Sequence, residues 1–197
     1  MIPKHIFTVW LSDNPVIPDL VHRCIESQKI PGYTHHVITL DNYETDYEYV
    51  REAIKAKKWV KASDIIRCEY MYKHGGIHLD GDMEVLPNKN FDDLLDCRMF
   101  TSFECTGLYA NAGFGAEAGH PLLKEYNDRV ENNYKGSGDL VFEPGIRTFH
   151  DIFWAADKSL FRMVGTDQFF PYNHITGEVK ITDDTRVYHH YNKSWKK

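Results

Sequence analysis

Residues 77–85 carry the densest chemistry in the chain: an apolar run, Ile77-His78-Leu79, leads into Asp80-Gly81-Asp82 and then Met83-Glu84-Val85. Read as one strand, the period of two puts both carboxylates on the same side. Two hard oxygen donors with no cysteine beside them suit Mg2+ or Mn2+, and Gly81 lets a bulky anion such as a diphosphate approach the backbone. An Asp-x-Asp triplet alone is common in exposed turns, so its surroundings decide. One helix upstream, Ala62-Ser63-Asp64-Ile65-Ile66-Arg67 sets an acid and a guanidinium at i, i+3, on one helix face. As a surface ion pair they are worth about 0.5 kcal/mol. Within reach of a metal-bound ligand, both residues have the chemistry to hold a nucleotide.

The elements that must position these residues alternate. A strand is expected over 6–11, ending at Ser12-Asp13-Asn14-Pro15, then a helix over 19–28 closed by Pro31-Gly32, a strand over 36–40 and a helix over 47–58. The next helix, 62–74, takes Ser63 as its cap, buries Ile65, Cys68 and Tyr72, and stops at Gly75-Gly76 before a strand over 77–86. Strands alternating with helices argue for an α/β sheet with parallel pairs. Beyond Pro87 the pattern loosens, with strands expected at 99–104 and 112–116 and a helix over 121–134 that has proline in its first turn. The last third is aromatic, histidine-rich and weakly periodic.

A chain of 197 residues fits one domain, 1–197, with no repeat or linker to mark a second. Its longest apolar run, residues 152–156, is far short of the roughly 18 needed to cross a bilayer. The start, Met1-Ile2-Pro3-Lys4-His5, lacks the pattern of a secretory signal, so a cytoplasmic address is expected. The net charge of -6 and the absence of a long basic run argue against nucleic acid as a partner. Peripheral contact with the inner face of a membrane through residues 55–61 and 193–197 weighs less than a solvated helix face and a tail. Cys24, Cys68, Cys97 and Cys105 form no Cys-x-x-Cys pair and read as reduced thiols. His74 and His78 have zinc-pair spacing, but the intervening glycines break the helix that such a pair needs. A calcium loop starting at Asp80 fails at its sixth and twelfth positions, Val85 and Phe91.

Taken together, Ile2-Pro3-Lys4-His5-Ile6 through Trp10, Ala62-Ser63-Asp64 with Arg67, and Tyr72 through Gly75-Gly76-Ile77-His78-Leu79-Asp80-Gly81-Asp82 resemble the DXD-containing family of capsular-polysaccharide glycosyltransferases and initiating α-mannosyltransferases. Asn111-Ala112, Gly119-His120-Pro121 and the ending His189-His190-Tyr191-Asn192-Lys193-Ser194-Trp195 extend the likeness over nearly the whole chain. The resemblance implies the A-type glycosyltransferase fold, a Rossmann-like mixed sheet flanked by helices, with anomeric retention and a nucleotide-sugar donor bound through Mn2+ or Mg2+. It assigns Asp80 and Asp82 to the metal and to catalysis, His189 to a metal or diphosphate contact, and Trp10, Asp64, Arg67, Asn111, Ser194 and Trp195 to the donor. Glu143-Pro144-Gly145 departs from the Gly-Pro that the family usually shows there.

The function expected from the sequence is transfer of a hexose from a UDP- or GDP-hexose to a saccharide or lipid-linked saccharide, in surface or capsular polysaccharide synthesis. Glu104 is a weaker candidate for a sugar contact. Two alternatives stand beside it. One is a sugar-nucleotide-binding module without transfer activity. The other is a haloacid-dehalogenase-like phosphatase, for which Asp183-Asp184 would supply the later acidic pair but Glu84 stands where a small hydroxyl residue belongs.

Overall fold

The computed structural model describes residues 1–136, 140 and 144–192. Its strands are β1 (His5–Val9), β2 (Thr34–Ile38), β3 (Gly76–Leu79), β4 (Met83–Val85), β5 (Met99–Thr101), β6 (Gly113–Ala116), β7 (Arg162–Met163) and β8 (Val187–His189). The helices are α1 (Asp19–Ser27), α2 (Glu48–Lys55), α3 (Trp59–His74), α4 (Pro121–Asn133), α5 (Ile146–Ala155) and the single turn α6 (Thr166–Phe169).

Six strands form a mixed sheet in the order β2-β1-β3-β6-β5-β7, and β4 and β8 pair in a separate two-stranded sheet. The first three strands are parallel, as βαβ crossovers require, and β6 runs antiparallel to both β3 and β5. Side chains alternating across β1 and β3 feed two cores. Phe7 and Val9 join Ile65, Cys68, Phe114, Tyr126, Phe149 and Phe153 on the face covered by α3, α4 and α5. Ile6, Ile77 and Leu79 join Met83, Phe91, Phe100, Phe169 and Val187 on the other.

Several expectations shift. The strand expected over 77–86 is two strands: the chain leaves the main sheet after Leu79, turns through Asp80-Gly81-Asp82 with the Met83 amide donating to the Asp80 carbonyl at 3.0 Å, and enters β4 in the other sheet. Ser63 does not cap α3, which starts at Trp59. Lys57 at φ 53° ends α2, and the chain re-enters helix almost at once. β2 ends at Ile38, two residues early, because Asn42 folds back to accept from the Thr39 amide and donate to the Val37 carbonyl. In the weakly periodic last third, α5 buries Phe149, Ile152 and Phe153 at i, i+3, i+4 spacing. No helix among the described residues is long and apolar enough to cross a membrane.

Candidate active site

The carboxyl end of β3, at the middle of the sheet, is where the candidate residues meet. Asp80 is the first residue beyond the strand and keeps its alternation, lying on the same side as His78. The turn that follows is held from below by Gln28, just past the end of α1 and fully buried. Its side-chain amide donates to the carbonyls of Asp80 at 3.1 Å and Met83 at 2.9 Å, and its oxygen accepts from the Thr8 hydroxyl. The Asp80 amide donates to the Ala112 carbonyl at 2.8 Å, tying the turn to the start of β6.

Arg67 projects from α3 into this turn. It is 5% exposed, so it is no surface ion-pair partner. Its guanidinium lies 3.0 Å from Asp80 Oδ1 and 3.1 Å from Asp64 Oδ1, and it donates to the carbonyls of Asn111 at 2.8 Å and Ser63 at 3.3 Å. Asn111 closes the knot by donating from Nδ2 to Asp64 Oδ1 at 3.0 Å. His78 Nε2 stands 3.0 Å from the same Asp80 oxygen. Burial works against ionising Asp80, but the Arg67 guanidinium, with help from His78, overrides it and holds the carboxyl at about 2. Burial likewise drives His78 down to about 4, so its ring is neutral and its Nε2–H can donate to Asp80. Sequence spacing set His78 against His74 as a weak zinc pair; its position two residues before Asp80 on the same face is the signal for its actual partner.

Asp82 faces the second sheet. Its Oδ1 lies 3.2 Å from His189 Nε2, and its Oδ2 accepts from the Asn192 amide at 2.7 Å. β4 pairs with β8 in a register that sets Met83 opposite His189, so the sheet itself carries the histidine to the turn. Tyr191, at φ 49°, stacks on the His189 ring with centroids 3.9 Å apart. Asp80, Asp82 and His189 offer three ligand atoms within 4.8 Å of one another. Two carboxylate oxygens and an imidazole nitrogen are a donor set that fits Mn2+ or Mg2+.

Trp10, half-buried beyond the carboxyl end of β1, packs beside Gly81, where an added Cβ would lie 3.3 Å from its ring and from Val21. Gly145, the N-cap of α5, lies against Asp64, where an added Cβ would stand 3.0 Å from Oδ2. The Pro-Gly departure therefore falls at the site. Glu104 lies in the turn that follows β5, where its carbonyl accepts from the Gly107 amide. Ser194, Trp195 and Glu143 lie outside the described residues. Asp183 and Asp184, exposed in the turn before β8, are not part of the cluster. Surface hollows along α4 and at residues 96–99 with 159–162 share no lining residue with it.

Residues 1–135 match the model of a family described as capsular polysaccharide synthesis protein. An uncharacterized glycosyltransferase of Acanthamoeba polyphaga mimivirus is 24% identical over 163 residues, covering 77% of this chain and 64% of that protein, so the match spans less than two thirds of the relative's length. Among solved structures, the PaToxG glycosyltransferase superposes with a TM-score of 0.63 at 19% identity, over 78% of this chain and 68% of that one. A glycosyltransferase involved in glycosylating the major capsid of PBCV-1 gives a TM-score of 0.49 at 14% identity, over 94% and 92% of the two chains. The PaToxG likeness shows the A-type glycosyltransferase fold, which sets the phosphatase alternative aside. The family match takes in Trp10, Asp64, Arg67, the Asp80-Gly81-Asp82 turn and Asn111. This chain belongs to the capsular polysaccharide synthesis protein family.

Proposed function

We propose that residues 1–197 act as one catalytic domain that transfers a hexose, with retention of anomeric configuration, from a UDP- or GDP-hexose to a saccharide or lipid-linked saccharide acceptor. The convergence of Asp80, Asp82 and His189 at the carboxyl end of β3 is the observation that carries this reading. Open α/β sheets bind ligands at that end of their strands. Family membership supports capsular or surface polysaccharide as the product.

Asp80, Asp82 and His189 would hold Mn2+ or Mg2+, which when bound neutralises the charge that develops on the departing diphosphate. Arg67 and His78 keep Asp80 ionised and fixed, so the carboxylate needs no reorganisation to serve as a ligand. Gly81 is buried against the Trp10 ring and Val21, so its lack of a side chain serves the close packing of the turn, and in this reading the exposed part of the half-buried Trp10 ring is a wall for the donor. Asp64 and Asn111 present polar groups from the neighbouring elements, and Ser194 and Trp195 complete the donor contacts. Of the three site aspartates, two are committed to the metal and Asp64 to Arg67, which leaves front-face attack, with the leaving phosphate taking the acceptor proton.

A panel of nucleotide sugars assayed with Mn2+ tests this. Acceptor product that needs the metal and vanishes in both Asp80→Asn and Asp82→Asn, with unfolding temperature kept, is the expected result. Donor binding without product in any acceptor mixture would instead make the chain a binding module, the reading to which Pro144-Gly145 beside Asp64 lends weight.

A further inference from the structure

We propose that Cys24, Glu84 and His190 form a second metal site, suited to Zn2+ and separate from the Asp80, Asp82 and His189 cluster. Three separate parts of the fold supply the donors: Cys24 from α1, Glu84 from β4 and His190 from the residue after β8. Their sulfur, oxygen and nitrogen atoms lie within 4.8 Å of one another. Glu84 Oε2 and His190 Nε2 already stand 2.8 Å apart. Alternation along β4 turns Glu84 away from the side that Met83 shares with its partner His189, so the same two segments furnish both clusters without competing for a ligand.

The scaffold around the second cluster is built. The Ser27 hydroxyl donates to the Cys24 carbonyl at 2.6 Å and accepts from the Val85 amide at 2.9 Å, pinning α1 on β4. The His190 amide donates to the Asp82 carbonyl at 3.0 Å, fixing the third donor to the turn. Cys24 is fully buried, while the side chains of Glu84 and His190 are 29% and 21% exposed, so an ion enters from their side and a water can fill a fourth position. Arg23, 3.6 Å from Glu84 and 61% exposed, balances that carboxylate and is free to swing away.

Donor chemistry sorts the metals. Two carboxylates and an imidazole favour Mg2+ or Mn2+, whereas a thiolate with an imidazole and a single carboxylate favours Zn2+. Burial, with Glu84 and Asp82 nearby, raises the Cys24 thiol to about 12. A divalent cation reverses that balance: the sulfur–metal bond forms as the thiol proton leaves to solvent.

Cobalt is the probe, since a thiolate bound to Co2+ gives a near-ultraviolet charge-transfer band. The full chain is titrated with Co2+ and then Zn2+. The expected result is a one-thiolate band in the native protein that Zn2+ abolishes, Cys24→Ser removes, and Cys97→Ala and Cys105→Ala leave in place. His190→Ala is expected to retain the fold and weaken Co2+ binding at least tenfold, which carries the test if Cys24→Ser fails to fold. No band, a band lost in Cys105→Ala, or unchanged affinity in His190→Ala overturns the site. Because the readout is spectroscopic and needs no donor, it stands or falls apart from the proposed transferase activity.

Discussion

At the scale of single residues, Arg67 does most of the organising. A guanidinium that is almost fully buried between Asp64 and Asp80 is the kind of pair whose loss leaves charge stranded rather than merely unpaired. Arg67→Ala is expected to cost about 3–5 kcal/mol, a drop in unfolding temperature of roughly 6–20 °C for a chain of this size. A thermal melt of the variant checks this, and an unchanged midpoint would mean that the carboxylates are solvated. His78 acts through Asp80 and not through the core alone: its ring sits between Phe7 and Phe114, so phenylalanine can take its place in the packing. His78→Phe should hold its fold and lower Mn2+ affinity about 10–100-fold, the usual cost of removing a partner that orients a ligand. Electron paramagnetic titration of free Mn2+ measures it, and native affinity in the variant would strip His78 of that role.

At the scale of elements, the turn between β3 and β4 carries the proposed metal-binding carboxylates, and Gln28 is what holds it. Gln28→Ala takes its donor from the Met83 carbonyl, at about 1–3 kcal/mol for a group left buried and unsatisfied. It also takes one of two partners each from the Thr8 hydroxyl, which still donates to the Leu79 carbonyl, and the Asp80 carbonyl, which still accepts from the Met83 amide. The expected outcome is a loss of several degrees in the melt together with weaker Mn2+ binding, whereas a purely structural Gln28 would move the melt alone. The glycines divide by what surrounds them. Gly76, at φ 119°, would put a Cβ 2.5 Å from the His5 carbonyl, which is backbone and cannot yield, so Gly76→Ala should cost at least about 3 kcal/mol. Much of this was readable beforehand. Asp80, Asp82, Asp64 and Arg67 fell together because a helix, a glycine turn and a strand in succession leave little freedom in where they end. The break between β3 and β4 was not readable: an unbroken apolar-acidic alternation looks the same whether the chain stays in one sheet or crosses to another. Gln28 and the two-residue β7 gave no sign either, since a buried amide and a short edge strand owe their places to contacts distant in sequence. His189 was legible only through family likeness, and its position is explained by the β4–β8 register.

At the scale of the molecule, the fold biases four histidines toward the uncharged form, His78 and His120 buried and His5 and His35 half-buried. Burial, seconded by the neighbouring His36 and His74, lowers His5; burial brings His35 and His78 to about 4; and burial lowers His120. A histidine whose folded pKa is depressed adds stability that is complete above its unfolded value near 6.5 and is lost as pH falls toward the folded one, because only the unfolded chain takes up the proton in that interval. The fully buried His78 alone accounts for a contribution on the order of 3 kcal/mol across its shift. Asp80, held at about 2, runs on a different range: its contribution persists down to the ordinary carboxylate pKa near 3.8 and fades only below it. The native chain is therefore expected to lose unfolding temperature steadily from about pH 6.5 to pH 4, before Asp80 begins to protonate. In the same series His78→Phe should show a shallower fall, since it has one buried imidazole fewer to protonate. Melts collected at half-unit intervals of pH, with chelator present so that no metal contributes, read both slopes. A midpoint that stays level through this interval would mean that these histidines are solvated in the folded chain, and with them the end of β3 on which Asp80 stands.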